Sequence, residues 1–520
     1  MNSEDEYAER QRLIAALGDP HCYPHSVARV RLIETHISWV LLAGRYAYKI
    51  KKPVNLEFLD FSTLAQRKHF CEEEVRLNRR LAPGLYLGTV PVGGDFDHPK
   101  IDSQPVIEYA VKMRRFSARC LMDRQLARGG ITPQHIDSLA ATLAQFHAAL
   151  PAADNPLLGG FGAIRTAVMQ NFEQLQAYAG VAELKVATEA ELAACAPVFE
   201  RRRTAGRVRE CHGDLHLGNI ALIDNVPVPF DGIEFNPALR WIDVMDEIAF
   251  PVMDLMHRGR ADFAWRLLNG YLEVTGDYGG MAVLRLYLAY RATVRAKVDI
   301  IRANQSGLQA RTKNILRRAG QSYLDFALGC FAKPQLALII THGLPGSGKS
   351  TFAQAALEHL GAIRIRSDVE RKRLFGLASL DDSRQVLGTG VLYTSEATVH
   401  TYARLAELAA QLLASGYPVI VDAAFLHRDE REIFRQLAAR MRTPFIIADM
   451  TADMGVMRER VRLRQEHGQD ASEADVAVLE KLAQSRERLG PEEQVMVLEY
   501  TDNAGFWAAL EQRLAETAPT

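Results

Sequence analysis

Hydrophobic and polar positions follow two textures along the chain, and the change between them marks its organisation. Up to about residue 115, the runs Val27–Ile33, Ser38–Leu42, Arg45–Lys51 and Val106–Met113 are β-branched or aromatic-rich and punctuated by Gly, Pro or Asp, which predicts strands. Between them, Leu64–Leu81 has the pattern of a charged amphipathic helix, with Cys71, Val75 and Asn78 on one face and Glu74 on the same flank. From Thr132 to about Tyr323 the pattern turns helical. It predicts helices over Thr132–Leu150, Ile164–Tyr178, Glu189–Arg203, Asp243–His257, Asp262–Val274 and Met281–Asn304, interrupted by a β-rich stretch from Cys211 to Phe235.

A second unit is expected from Lys333-Pro334 onward. The buried-type strand Gln335–Thr341 runs into a glycine turn and a helix from Lys349. Strands at Ala362–Arg366, Pro418–Val421 and Pro444–Asp449 then alternate with helices at Ala397–Ser415, Arg428–Arg440 and Val456–Gln465. Such alternation implies an α/β fold with a parallel sheet. The expected boundary near residue 332 divides the chain into 1–330 and 334–520. The first part has a small strand-rich lobe at about 25–115 and a helical lobe at about 116–330.

Composition narrows the class. A length of 520 residues is enough for more than one core. The 62 Lys+Arg against 63 Asp+Glu leave a net charge of −1, which argues against a protein that coats nucleic acid. No stretch approaches the ~18 uninterrupted apolar residues of a membrane helix. The acidic, polar N-terminal segment lacks a secretory signal, and the six cysteines include no C-x-x-C pair. A cytoplasmic protein without membrane partners is expected.

The loop Gly343-Leu-Pro-Gly346-Ser-Gly348-Lys349-Ser350 fits G-x-x-x-x-G-K-[ST] between a strand and a helix. Its glycines, with Thr351 following, let backbone N–H groups curl around phosphate oxygens. Lys349 can reach the β- and γ-phosphates, and Ser350 offers a hydroxyl to Mg²⁺. Asp422 ends an apolar strand, where a carboxylate orients Mg²⁺ and its water or merely closes the strand. Asp368 can take a proton from an acceptor hydroxyl or cap a helix. Arg458, Arg460, Arg462 and Arg464 form either a solvated basic face or part of a lid over transferred phosphate. The segments GLPGSGKST, IRSDVERKR, VIVDAAF and RERVRLR…DASEAD resemble the P-loop kinases related to zeta toxins, chloramphenicol phosphotransferase and polynucleotide 5′-kinases, over about 334–515. That resemblance implies Asp368 as acceptor base, Arg371 as a substrate anchor, and Arg460 and Arg464 as lid arginines.

A second constellation is His212-Gly-Asp214-Leu-His216-Leu-Gly-Asn219, with Asp231 following twelve residues after Asn219. A carboxylate at the acceptor hydroxyl, then an Asn five residues on, then a metal-binding Asp beyond a short hairpin, is the order that protein-kinase chemistry requires. Competing readings are a metal site using Cys211, His212 and His216, or a purely structural turn. HGDLHLGN and FDGIEFNPALRWIDVMDEIAF resemble the aminoglycoside phosphotransferase family, over roughly 25–325. The resemblance implies a bilobal α+β protein-kinase-like fold, Asp214 as base, Asn219 and Asp231 as Mg²⁺ ligands, and Asp243 as a structural carboxylate. The phosphate-contacting lysine should then be Lys49 or Lys51, with Lys49 paired to Glu74 preferred. No G-x-G-x-x-G precedes it; only Thr35–Gly44 offers a covering turn.

Together these readings predict a bifunctional enzyme with two Mg²⁺- and ATP- or GTP-dependent sites, each phosphorylating hydroxyls of small molecules. The alternatives are one catalytic half with a nucleotide-sensing partner half, or a P-loop half that acts on nucleic-acid 5′-hydroxyls, weakly suggested by Arg371-Lys-Arg373.

Overall fold

The computed structural model describes residues 3–516 apart from 57–58, 174, 306, 333–334, 388–391, 393, 468–469, 495 and 501–503. Two compact units emerge: one runs to Gln170 and includes Ala196–Asp254, the other joins Asn171–Cys195 to Leu255 and beyond. The expected start of the second domain, Lys333-Pro334, lies outside the described residues.

The first unit opens on an antiparallel sheet of β1 (Val30–Glu34), β2 (Ser38–Ala43), β3 (Tyr46–Lys51), β4 (Tyr86–Gly94), β5 (Pro99–Ile101) and β6 (Val106–Arg114). The strand order is β1-β2-β3-β6-β4-β5. Strand periodicity sends Tyr48 and Ile50 of β3 into a core with Leu13, Trp39 and Leu41, and Lys49 and Lys51 to the opposite face. That face meets the helix α1 (Leu64–Asn78), whose first turn is closed by a capping box between Thr63 and Gln66. As its pattern predicts, α1 buries Cys71, Glu74, Val75 and Asn78. Strand β4 escapes sequence reading because its run holds three glycines and a proline, and its pairing with β6 shifts register at Tyr86/Gly88 and Val92/Gly93.

Farther along, the hairpin Ile220–Ile223/Val226–Pro229 and the ribbon Val208–Glu210/Trp241–Asp243 supply the β-rich insert. Asp243, at the ribbon's end, accepts two hydrogen bonds of 2.7 Å from the buried Arg202 and one of 2.8 Å from the Met245 N–H.

The second unit is built on a parallel sheet of β7 (Leu338–His342), β8 (Ile363–Arg366), β9 (Val419–Asp422), β10 (Phe445–Asp449) and β11 (Val497–Glu499). Its order is β8-β9-β7-β10-β11. Strands β7 and β9 are buried along their whole length, as expected when helices cover both faces. Ile339, Ile420 and Ala448 pack with Phe352 and Leu357 of the helix α3 (Lys349–Leu360) and with Phe506 and Leu510. β11 is only three residues long, too short to leave a pattern in the sequence.

This unit also contains the helices Met281–Ala303, Ala310–Gly329 and α2 (Ala261–Thr275). The amide of Asn269 on α2 acts as a surrogate neighbour for the edge strand β8. It accepts the Arg364 N–H at 2.7 Å and donates to the Ala362 carbonyl at 3.0 Å. Among the described residues no helix is long and apolar enough to cross a membrane.

Because Asp243→Ala would remove both of these hydrogen bonds from the buried Arg202 guanidinium and unbind the start of the following helix, it should cost about 3–5 kcal/mol. A lowered urea midpoint of the first unit's unfolding transition is the expected readout, with Asp243→Asn milder than Asp243→Ala.

Candidate active sites

In the first unit, ion pairs converge on Glu74, which is fully buried. Lys49 Nζ lies 2.9 Å from Glu74 Oε1 and 2.5 Å from Asp231 Oδ1. Lys51 Nζ, with no exposed surface, takes Glu74 Oε2 at 2.8 Å and also pairs with Glu234. Both candidate lysines therefore share one carboxylate, but among the described contacts only Lys49 reaches Asp231. Burial alone would lower the Lys49 pKa; Asp231 and Glu74 outweigh it and hold the ammonium well above its ordinary value. By the same pairing, Lys49 offsets burial at Asp231 and holds its carboxyl below the usual range.

The backbone sets these groups in place. Asp231 adopts a φ of 64°, and its N–H donates to the Tyr86 hydroxyl at 3.0 Å. Asn78 Oδ1 accepts the Gly232 N–H at 2.8 Å, so α1 fixes both Glu74 and the segment after Asp231. Behind the 212–219 loop, Glu247 accepts the His212 and Gly213 N–H groups at 2.6 and 3.0 Å. Asp254 accepts the Leu217 N–H at 3.0 Å. Gly213 has a φ of 87°, and a Cβ there would meet the Leu239 carbonyl oxygen at 2.7 Å, so only glycine fits.

Within this loop, the Asn219 amide donates to Asp214 Oδ2 at 2.9 Å and to the Asp214 carbonyl at 3.0 Å. With its donor end engaged, the amide's oxygen suits a hard cation, as does the 43 % exposed side chain of Asp231. The histidines brace the turn. His212 Nδ1 accepts the Asp214 N–H, leaving Nε2 to donate to the Phe230 carbonyl at 2.9 Å. His216 Nδ1 accepts the Gly218 N–H, and its Nε2 stands 3.6 Å from Asp214 Oδ2.

The alternative metal set of Cys211, His212 and His216 does not assemble. Among the described residues the single group with converging ligand atoms is His147, Cys211 and Glu247, and Glu247 there is already engaged by the loop.

The second unit holds a pocket of about 710 Å³ at the C-terminal ends of β7, β8 and β9. Gly346, Gly348, Lys349, Ser350, Thr351, Asp368, Arg371, Asp422, Arg460 and Arg464 all line it, so the sequence-predicted residues come together. Gly343 stands behind the lining; its φ of 144° and the Met450 carbonyl oxygen, 2.5 Å from where a Cβ would sit, account for the glycine.

Lys349 is half-buried and donates to the Leu344 carbonyl at 2.8 Å. Burial pushes its ammonium down to about 8, against the opposing pull of Asp422 and Asp368, and Arg464 and Arg486 add to the lowering. Asp422 Oδ2 is buried and, among the described residues, accepts no hydrogen bond, an orphaned acceptor that fits a metal ion or its bound water. Asp368 lies in the first turn of the helix Ser367–Leu374, capped instead at Arg366, and Arg371 Nη1 is 3.6 Å from its Oδ1. Arg460 Nη1 donates to the Gly346 carbonyl at 3.0 Å, and Arg464 Nη2 to the Ala474 carbonyl at 3.2 Å. In contrast, Arg458 and Arg462 pair outward with Glu480 and Glu459. Of the Arg371-Lys-Arg373 cluster, Lys372 is consumed by Glu473 at 2.9 Å and Arg373 by the Glu273 carbonyl at 2.5 Å, leaving Arg371 to the pocket.

Sequence reasoning missed Glu234, Glu247 and Arg366. Glu234 is signalled only by sitting three residues after Asp231, and Glu247 by an acidic pair opening an apolar helix.

Residues 61–233 match the phosphotransferase enzyme family, and 338–489 match an AAA domain. Uncharacterized proteins of Mycobacterium tuberculosis and Mycobacterium bovis are 31% identical over 478 residues, covering 89% of this chain and 92% of theirs. An amicoumacin kinase structure, bound to AMP-PNP, Ca²⁺ and Ami, is 14% identical over 62% of this chain and 95% of that one, with a TM-score of 0.40. A gluconokinase from Sinorhizobium meliloti is 21% identical over 36% of this chain and 95% of that one, with a TM-score of 0.25.

A lysine that loses its charge above about pH 8 should weaken nucleotide binding there. In an Asp231→Ala background, which impairs the first site, affinity should fall up to about tenfold per pH unit above pH 8. Binding should take up a proton, visible by calorimetry in buffers of different ionisation enthalpy. Lys349→Arg should flatten the profile; a flat profile in the unsubstituted lysine background would mean that Lys349 stays charged.

Proposed function

We propose that this chain, which belongs to the same family as the mycobacterial proteins and joins a phosphotransferase-enzyme segment to a P-loop kinase-like domain, is a bifunctional kinase with two Mg²⁺-nucleotide sites. Each site would transfer the γ-phosphoryl group of ATP or GTP to a hydroxyl of a small molecule. The observation that carries this reading is that each unit separately holds a lysine, a candidate metal carboxylate and a candidate base: Lys49, Asp231 and Asp214 in one, and Lys349, Asp422 and Asp368 in the other.

Both sites follow the same reaction. Asp214 or Asp368 accepts the proton of the acceptor hydroxyl as its oxygen bonds to the γ-phosphorus and the bond to the β,γ-bridging oxygen breaks. The nucleoside diphosphate leaves, and the carboxylic acid returns its proton to solvent. Asn219 and Asp231, or Ser350 and Asp422, would hold Mg²⁺, which neutralises charge on the β- and γ-phosphate oxygens when bound. Lys49, kept charged by its carboxylates, would release Asp231 and contact the α- and β-phosphates. Arg371 would anchor an acceptor beside Asp368, while Arg460 and Arg464 would meet charge developing on the transferred group.

The two bases give separable tests in the full chain. Asp214→Asn and Asp368→Asn should each abolish phosphorylation of one set of acceptors in a metabolite extract supplied with labelled ATP or GTP. Each should spare the other set, reduce turnover by about 10²–10⁴-fold at its own site, and leave nucleotide affinity within about twofold. Loss of all labelled products in either single variant would favour one catalytic half with a nucleotide-sensing partner.

A further inference from the structure

Beyond the pocket, on α2, Glu273 occupies a position that neither motif contains. Its Oε1 accepts from Arg366 Nη1 at 2.8 Å and its Oε2 from Arg364 Nη2 at 2.9 Å. These two arginines outweigh the effect of burial and hold the carboxyl below its ordinary range, so it is anionic at neutral pH. Arg366 ends β8 directly opposite Asp422 at the end of β9. Its Nη2 donates to Asp470 Oδ1 at 2.8 Å, while its Nε stays 3.7 Å from Asp422 Oδ2, beyond hydrogen-bond range. One guanidinium thus faces three carboxylates, and the carboxylate left without a hydrogen bond at this oxygen is the candidate metal ligand.

We infer that Glu273 is a positioning residue for the P-loop site: by tethering Arg366 it keeps that guanidinium from closing on Asp422, leaving the carboxylate available to Mg²⁺. This rests on the reading of the second pocket as a Mg²⁺-nucleotide site. Without the charge of Glu273, Arg366 retains two carboxylates, and the nearer approach to Asp422 is the new minimum for a half-freed cation. The guanidinium would then compete with Mg²⁺ for the same oxygen. Asp470 is drawn by the same arginine, so the segment approached by Arg464 through the Ala474 carbonyl shares the anchor.

The test is Mg²⁺ titration of the binding of a fluorescent ATP analogue to the full chain, in the Asp231→Ala background. Glu273→Gln should raise the Mg²⁺ concentration at half-saturation about five- to tenfold, with little change in metal-free binding of the analogue. Arg366→Gln should cancel that shift, since no cation is left to collapse onto Asp422. Asn269→Ala, which loosens the same helix from the same strand without touching Arg366, should lower thermal stability and leave the Mg²⁺ dependence unchanged.

An unchanged Mg²⁺ midpoint in folded Glu273→Gln, a shift that persists in the double variant, or an equal shift in Asn269→Ala would overturn the inference. If Glu273→Gln does not fold, Arg366→Gln alone decides: an unchanged or lower midpoint supports the inference, and a higher one refutes it. Failure of the site itself is distinguishable, because the background protein would then show no Mg²⁺-dependent, Lys349-dependent binding at all.

Discussion

A buried lysine keeps its charge only if neighbouring groups stabilise it, because removing an ammonium from water favours its neutral form. The two units meet this constraint in opposite ways. In the first, Lys49 is clamped between Glu74 and Asp231, which hold its ammonium charged. A buried carboxylate shared by two lysines would be costly if either partner were missing, and this ties β3, α1 and the segment after Phe230 into one arrangement. In the second, Lys349 donates, among the described residues, to the Leu344 carbonyl, and Asp422 and Asp368 do not offset its burial. One ammonium is held by an ion-pair network; the other is left closer to neutrality by burial.

The parts most legible in the sequence are those in which chemistry fixes spacing along one stretch of chain. The glycine loop at 343–350 and the polar set Asp214, Asn219 and Asp231 are local, and the periodic helices around them needed no tertiary information. Partners brought together by topology were not legible. Lys49 and Lys51 are equivalent by periodicity, and only the pairing of β3 against α1 and Asp231 tells them apart. Arg366 reads as the end of a strand until Glu273, 93 residues earlier, is seen to face it. β4 was hidden for a different reason: its glycines and proline depress strand propensity, while neighbours on the sheet override it.

The grouping of the helices carries the same lesson. By pattern alone the segment from Asp262 to Asn304 continues a helical run, and nothing in it announces a sheet as its partner. Its polar positions hold that information: Asn269 and Glu273 lie one turn apart on α2, and both reach β8 with their side chains. A pair of side chains at that spacing that serves one strand edge is a structural relationship that no hydrophobic count reveals.

The Asn269 amide has a consequence for how this chain can be divided. A P-loop segment cut out at the expected boundary near residue 332 would keep the whole glycine loop and lose α2. The outer edge of β8 would then present the Arg364 N–H and the Ala362 carbonyl to solvent, on a strand whose alternate side chains are apolar. Such an edge is a template for pairing with another copy of itself. In the intact chain, therefore, a single asparagine covers this strand edge, and that cover comes from sequence more than fifty residues ahead of the sheet's first strand.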